Sequence, residues 1–475
     1  HMKNALLLLL ALSFVACSNN PVAEKVQEPE ETLSLDSNVD LADFFETYWN
    51  ERMPLYPLEA TATGDSTYND RLTIAFTDSF RDSLKNFYTD YLIGIQKFNR
   101  ADLSDNDRIS YDIFKREMEM QLEALKLHDN YMPFNQFWGL PLDLGQLGSG
   151  TGNQPFKTAR DYQAWMSRAG RFSSWADSAI VYFRKGVETG VVLPQALVIK
   201  MVPQLQALGK ADTTNVFYGP LKNMPATVVG ADSIKTQLTA VLQTAVFPAY
   251  QRLANFLQTE YLPRARTSSG ISALPGGSDM YKFYVRSWTT TDKTPDEIYN
   301  TGLTEVARIR AEMQHIKDSV HFKDSLPAFF QYLKTNRKFM PYKKPEEVLN
   351  AFRSIQQRIE PNLKRMFGRT PKTPFEIRQT EAFRVASASA EYQQGTPDGK
   401  RPGIFYVPIL NAKTFNTTSG MESLFLHEAI PGHHYQVSLQ QENDSLPKFR
   451  RFAWYGAMGE GWALYTESLG KELGL

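Results

Sequence analysis

Three histidines fall within eight consecutive residues: His427, His433 and His434, inside Leu424-Phe425-Leu426-His427-Glu428-Ala429-Ile430-Pro431-Gly432-His433-His434-Tyr435-Gln436. Setting His1 aside, the others are His128, His315 and His321. The pair His427-Glu428 opens like the zinc-site signature HExxH, in which two imidazoles one helical turn apart grip the metal and the glutamate activates water. The sequence has one cysteine, so a transition-metal site has to rest on His, Asp and Glu. The plainer reading, surface or core histidines without a metal, needs both the clustering and the His-Glu pair to be accidental.

HExxH fails as written, because Pro431 stands at i+4 from His427. In a regular helix His434 would share the face of His427 but lie about 10.5 Å along the axis, against about 6 Å for an i+4 pair, and His433 would point about 120° away. Both nitrogens have to come within about 2.0–2.1 Å of one ion. Pro431-Gly432 offers the remedy, since proline disrupts the ladder and glycine tolerates unusual dihedrals. If two residues bulge out of the helix, His433 takes the i+4 role; His434 needs a three-residue bulge. His433 is the favoured ligand, and the other histidine is expected behind the ligands or against substrate.

A catalytic zinc takes three protein ligands and keeps one position open. Gly459-Glu460-Gly461-Trp462-Ala463-Leu464-Tyr465-Thr466-Glu467 lies downstream, with Glu460 following His433 by 27 residues. That is enough chain for a second helix to pack back against the first. Glu460 is the candidate third ligand. Glu467, seven residues on, projects from nearly the same helix face and is a candidate acceptor for a ligating imidazole. Without the histidines, both would read as solvated helix charges.

Most of the chain that has to position these groups shows helical periodicity. Asp107 to Leu127 carries Ile109, Ile113, Phe114, Met118, Met120 and Leu125 at three-to-four spacing, and Thr158 to Thr189 carries Tyr162, Trp165, Phe172, Trp175 and Phe183, with Gly186 and Gly190 as stops. Thr294-Pro295-Asp296-Glu297 is a helix start expected to run to about His315; Pro345 to Phe367 reads as another helix. These apolar stripes are expected to be core. The best strand signal is Gly403 to Leu410, with a shorter candidate at Phe383 to Ala386. Gly148 to Gly152 reads as a mobile loop. No GxGxxG or GxxxxGK[ST] motif occurs.

The 52 basic and 52 acidic residues cancel, which argues against a nucleic-acid binder. His1-Met2 reads as a cloning remnant. Ala5 to Ala16 is an apolar run too short to span a bilayer but suited to a signal peptide. It ends Phe14-Val15-Ala16-Cys17, which resembles a bacterial lipobox with Phe14 where leucine is usual. Residues 1–16 are thus expected to be remnant plus signal peptide, 17–40 a lipidated Cys17 and flexible tether, and 41–475 a helical catalytic domain. The expected location is the bacterial cell envelope, periplasm or outer membrane, with the membrane reached through the lipid on Cys17.

HEAIPGHHYQ followed by GEGWALYTESLG resembles the DUF885 family of bacterial proteins, which are grouped with zinc peptidases of the glutamate-ligand (gluzincin) type. The likeness extends through Pro57-Leu58-Glu59-Ala60-Thr61, Leu274-Pro275-Gly276-Gly277, Arg286 to Asp292 and Arg401-Pro402-Gly403. It implies a mainly α, two-lobed body with a deep cleft and a small β element beside the metal. It also implies His427, His433 and Glu460 as zinc ligands, Glu428 as base, and an edge strand that pairs with substrate, a role Gly403 to Leu410 would fit. Relatives usually continue beyond the GEGWALY helix, so the group that stabilises the oxyanion is expected either beyond Leu475 or among Tyr281, Tyr284, Tyr406 and Tyr465. The expected activity is zinc-dependent hydrolysis of short peptides. The alternatives are a zinc amidase on a non-peptide or modified substrate and a surface lipoprotein with a non-catalytic metal site.

Overall fold

A computed structural model describes residues 38–475 except Phe383 and Ser387. The signal-peptide run, Cys17 and the tether up to residue 37 lie outside the described residues. The described chain is mainly helical with one three-stranded sheet. Polar caps start many of the helices. Asn38 accepts from the Leu41 N–H ahead of Val39–Arg52, Ser104 caps Asp105–Ala124, and Thr294 with Glu297 forms a capping box on Pro295–Ser319, each satisfying N–H groups that a helix leaves unpaired.

Three apolar clusters hold the elements together. One centres on Trp165, Phe172, Phe183 and Tyr250, a second on Phe45, Tyr48 and Phe114, and a third packs Phe352 and Ile359 against Phe405 and Phe425. The stripe from Thr158 to Thr189 forms two helices, Ala159–Gly170 and Phe172–Thr189. Gly186 does not end the second of them: a Cβ there would strike the Val191 carbonyl, so it allows a close backbone approach. Gly190 (φ +80°) caps it. The glycines at 148–152 also serve packing rather than looseness, since a Cβ on Gly148 would meet the Phe217 and Trp165 rings.

The Pro295–Ser319 helix departs from expectation. Its stripe of Tyr299, Leu303, Val306, Ile309, Met313 and Ile316 is exposed, not core. Periodicity reports that one face is apolar; it does not report what stands opposite.

β1 (Phe375–Gln379), β2 (Glu391–Gln393) and β3 (Gly403–Val407) run in the order β1-β3-β2. β1 is parallel to β3, and β2 is antiparallel to it with Tyr392 opposite Phe405. β3 is therefore the central strand, buried along its whole length, and is not available to pair with a substrate. An unbroken apolar run is what a strand covered on both faces carries. The candidate strand at Phe383 to Ala386 does not form in its described part: Arg384 to Ala386 make a turn between β1 and β2.

Two arginines hold the front of the chain in place. Arg401, just before β3, donates to the carbonyls of Thr61 and Ala62. Arg168, on Ala159–Gly170, donates to the carbonyls of Arg71 (2.9 Å), Tyr68 (2.7 Å) and Pro57 (3.3 Å), to Thr61 Oγ1 and to Gln154 Oε1 (2.6 Å). Burial pulls its guanidinium down to about 10. Arg168→Leu strands several acceptors in the interior at ~1–3 kcal/mol for each left unsatisfied. It is expected to cost about 3 kcal/mol or more, read as a lowered midpoint in denaturant unfolding.

Candidate metal centre

The Met421–Glu428 helix packs against the Gly456–Glu467 helix, and its last turn carries His427 and Glu428. Beyond it, Ala429 leaves helical geometry (φ −110°, ψ −104°), the Ile430–Pro431 bond is cis, and a second helix starts at His433 and runs to Gln441. The spacing predicts a bulge within one helix; the structure has a break between two. The outcome for His433 is the same. Gly432 sits against the Leu426 and His427 carbonyls, where a Cβ would collide. The break is pinned from outside by Trp462 Nε1, which donates to the Pro431 carbonyl at 2.9 Å, and by Thr466 Oγ1, which donates to the Leu426 carbonyl at 2.8 Å.

This arrangement brings His427, His433 and Glu460 together. His427 Nε2 lies 3.3 Å and His433 Nε2 3.7 Å from Glu460 Oε2, and the two imidazole rings meet edge to face at 4.8 Å between centroids. One ligand atom from each of the three lies within 4.8 Å of the others. Ligands about 2.0–2.1 Å from a tetrahedral ion stand about 3.4 Å apart. The donor set therefore suits zinc once the widest separation closes by about 1.4 Å. The glutamate side chain is 56% exposed, which leaves that side of the group open.

The surroundings differ for each group. Glu467 Oε1 is 2.8 Å from His427 Nδ1, so the imidazole can donate there and present Nε2 to the centre. His433 is buried against Trp454 (5.4 Å between rings), and its Nδ1 has no hydrogen-bond partner. Burial, with His427 nearby, draws the His433 imidazole down to about 4, so it is neutral and able to ligate at neutral pH. Glu428 is buried and pushed up to about 7, first by desolvation, then by Glu460 and Glu391 and against the pull of His427. The backbone amide of Tyr392 on β2 lies close by and pulls the other way.

His434 points elsewhere. Its Nδ1 lies 3.0 Å from the Tyr392 hydroxyl and 3.3 Å from Ser438 Oγ, and its ring packs on Phe375. Burial also holds it near 4. Among the tyrosines, Tyr281 and Tyr465 are exposed, Tyr465 lying against Trp462. Tyr284 donates to Asp129, while Tyr406 is buried under the Arg384 guanidinium with its hydroxyl unpaired. None of these contacts touches the three-residue group. The sequence gives no hint of Tyr392 or Trp454, because their roles arise only when β2 and the loop before the Gly456–Glu467 helix fold against the histidines. The nearest available signal is Gly459, where the Trp454 ring occupies the space of a Cβ.

A family model described as "Bacterial protein of unknown function (DUF885)" matches residues 57–475. The chain belongs to the DUF885 family. The match takes in every residue of the three-residue group, together with Glu428, Glu467, Tyr392 and Trp454. This DUF885 protein is similar to a candidate lipoprotein from Colwellia psychrerythraea, with 23% identity and a TM-score of 0.83 over 92% of this chain and 78% of that one. It is also similar to a candidate lipoprotein of unknown function from Shewanella oneidensis, with 17% identity and a TM-score of 0.62 over 91% and 78%. At these identities the likeness establishes a shared fold. No curated protein matches the chain.

Proposed function

We propose that this DUF885 protein is a zinc metallopeptidase of gluzincin type that hydrolyses short peptides in a cleft between two helical lobes. The observation that carries the reading is the convergence of His427, His433 and Glu460, with Glu428 one residue from a ligand and Glu467 behind His427. Bound zinc would lower the pKa of a water towards ~7 and polarise a substrate carbonyl. Glu428 takes the proton from the attacking water and returns it to the leaving amine. Burial of Glu428 and His433 keeps bulk water from competing. The apolar run before Cys17, together with the descriptions of the Colwellia and Shewanella proteins, supports an exported, lipid-anchored protein of the cell envelope.

The test is elemental analysis of the purified protein together with digestion of a peptide library, with and without a chelator. One zinc per chain and chelator-sensitive cleavage are expected; zinc without cleavage of any peptide removes the peptidase reading. Glu467→Gln can no longer fix the His427 ring as a charged acceptor. Such partners are worth ~10–100-fold in metal affinity, so zinc is expected to bind about 10–100-fold more weakly, as measured by chelator competition.

A further inference from the structure

Beside the centre, between the Leu140–Leu147 helix and β2, lies a recess of about 390 Å³. We propose that it binds a cationic side chain, guanidinium or ammonium, of the substrate; this rests on the peptidase reading and assigns its specificity.

Four observations converge on that ligand. Gln136 lines the recess, is 4% exposed, and its Oε1 has no hydrogen-bond partner. An amide oxygen held in the interior without a donor is costly, and an N–H reaching it from the recess would relieve that cost. Asp143 opens onto the same space. It is an exposed residue, and desolvation, helped by Glu391, lifts its carboxylate to about 6 against the pull of Arg384. The Arg384 charge is shared with Glu381 at 2.6 Å and with Glu391, so it answers Asp143 only in part. An apolar guest would leave both Gln136 and Asp143 unpaired, and an acidic one would meet like charge.

The wall carries aromatic rings in the open. Phe137 and Trp138 are 58% and 64% exposed. They are held there by a closed turn: Asn135 Oδ1 accepts from both of their N–H groups at 2.8 and 3.0 Å, the Asn135 N–H donates to the Trp138 carbonyl, and Gly139 follows at φ +122°. Rings displayed this way can cover a cation through their faces. The recess is also in register with the chemistry. Glu391 lines it, and the backbone amide of the next residue, Tyr392, lies close to Glu428. A peptide lying along β2 at the metal centre therefore brings a neighbouring side chain to the recess.

The test is calorimetric titration of the full chain with L-argininamide and with L-leucinamide, for the wild type, Asp143→Asn and Trp138→Ala. Both positions are at the surface, and the second substitution removes a ring that is mostly exposed. L-Argininamide is expected to bind at least about 10-fold more tightly than L-leucinamide, and each variant is expected to weaken it about 5-fold or more while leaving L-leucinamide unchanged. Equal affinity for the two amides, or L-argininamide binding unaltered in both variants, overturns the proposal. Because the readout is binding, failure of the peptidase reading in the library digest leaves this result interpretable. Cleavage without preference for basic residues, combined with equal binding, removes the recess and keeps the peptidase.

Discussion

Glu428→Gln is expected to keep its zinc and lose peptide hydrolysis by about 10²- to 10⁴-fold, the range a positioned general base contributes. The replacement is nearly isosteric, and its amide oxygen keeps an acceptor near the Tyr392 backbone amide. It also removes a desolvated charge from a buried position beside Glu460, so folding stability is not expected to fall. What it cannot do is take a proton. The measurement is turnover of a cleaved library peptide alongside zinc content. Loss of both would mean that Glu428 supports the metal site rather than the chemistry, and retained turnover would remove it as the base.

His433→Ala is the second large effect. It removes one of three protein ligands, and apparent zinc binding energies of ~10–16 kcal/mol over four ligands put each at about 2.5–4 kcal/mol. Zinc affinity is therefore expected to drop about 10²- to 10³-fold, with hydrolysis lost at ordinary zinc levels. His434→Ala is the control that separates the neighbours. His434 is spent on Tyr392 and Ser438, so its loss opens a cavity near β2 and lowers the unfolding midpoint while zinc stays bound. The opposite pattern, with zinc lost from His434→Ala and kept in His433→Ala, would contradict the geometry of the break.

What could be read from the sequence followed the range over which each signal acts. His427, Glu428 and the choice of His433 rest on local spacing, and Pro431-Gly432 marks the place where a helix cannot continue. Even so, spacing could not distinguish a bulge from a break, because both bring His433 round; the close approach of Gly432 to the Leu426 and His427 carbonyls decides it. Glu460 was legible as a carboxylate at a plausible return distance. Tyr392, Trp454 and Gln136 were not, since each acquires its place from a partner far along the chain. The family resemblance implies an edge strand at Gly403 to Leu410, yet β3 is central, and its unbroken run of apolar residues is the mark of a doubly covered strand. The exposed stripe on Pro295–Ser319 shows the reverse limit: an apolar face is local information and its burial is not.

The account turns on two imidazoles and one carboxylate converging on a single ion, and X-ray absorption at the zinc edge of the zinc-loaded protein reads that directly. The expected spectrum comes from one zinc per chain with two imidazole nitrogens at about 2.0–2.1 Å, the remaining neighbours being oxygen, and it loses one imidazole in His433→Ala. Failure to load zinc stoichiometrically, or a spectrum with fewer than two imidazoles in the wild type, would contradict it.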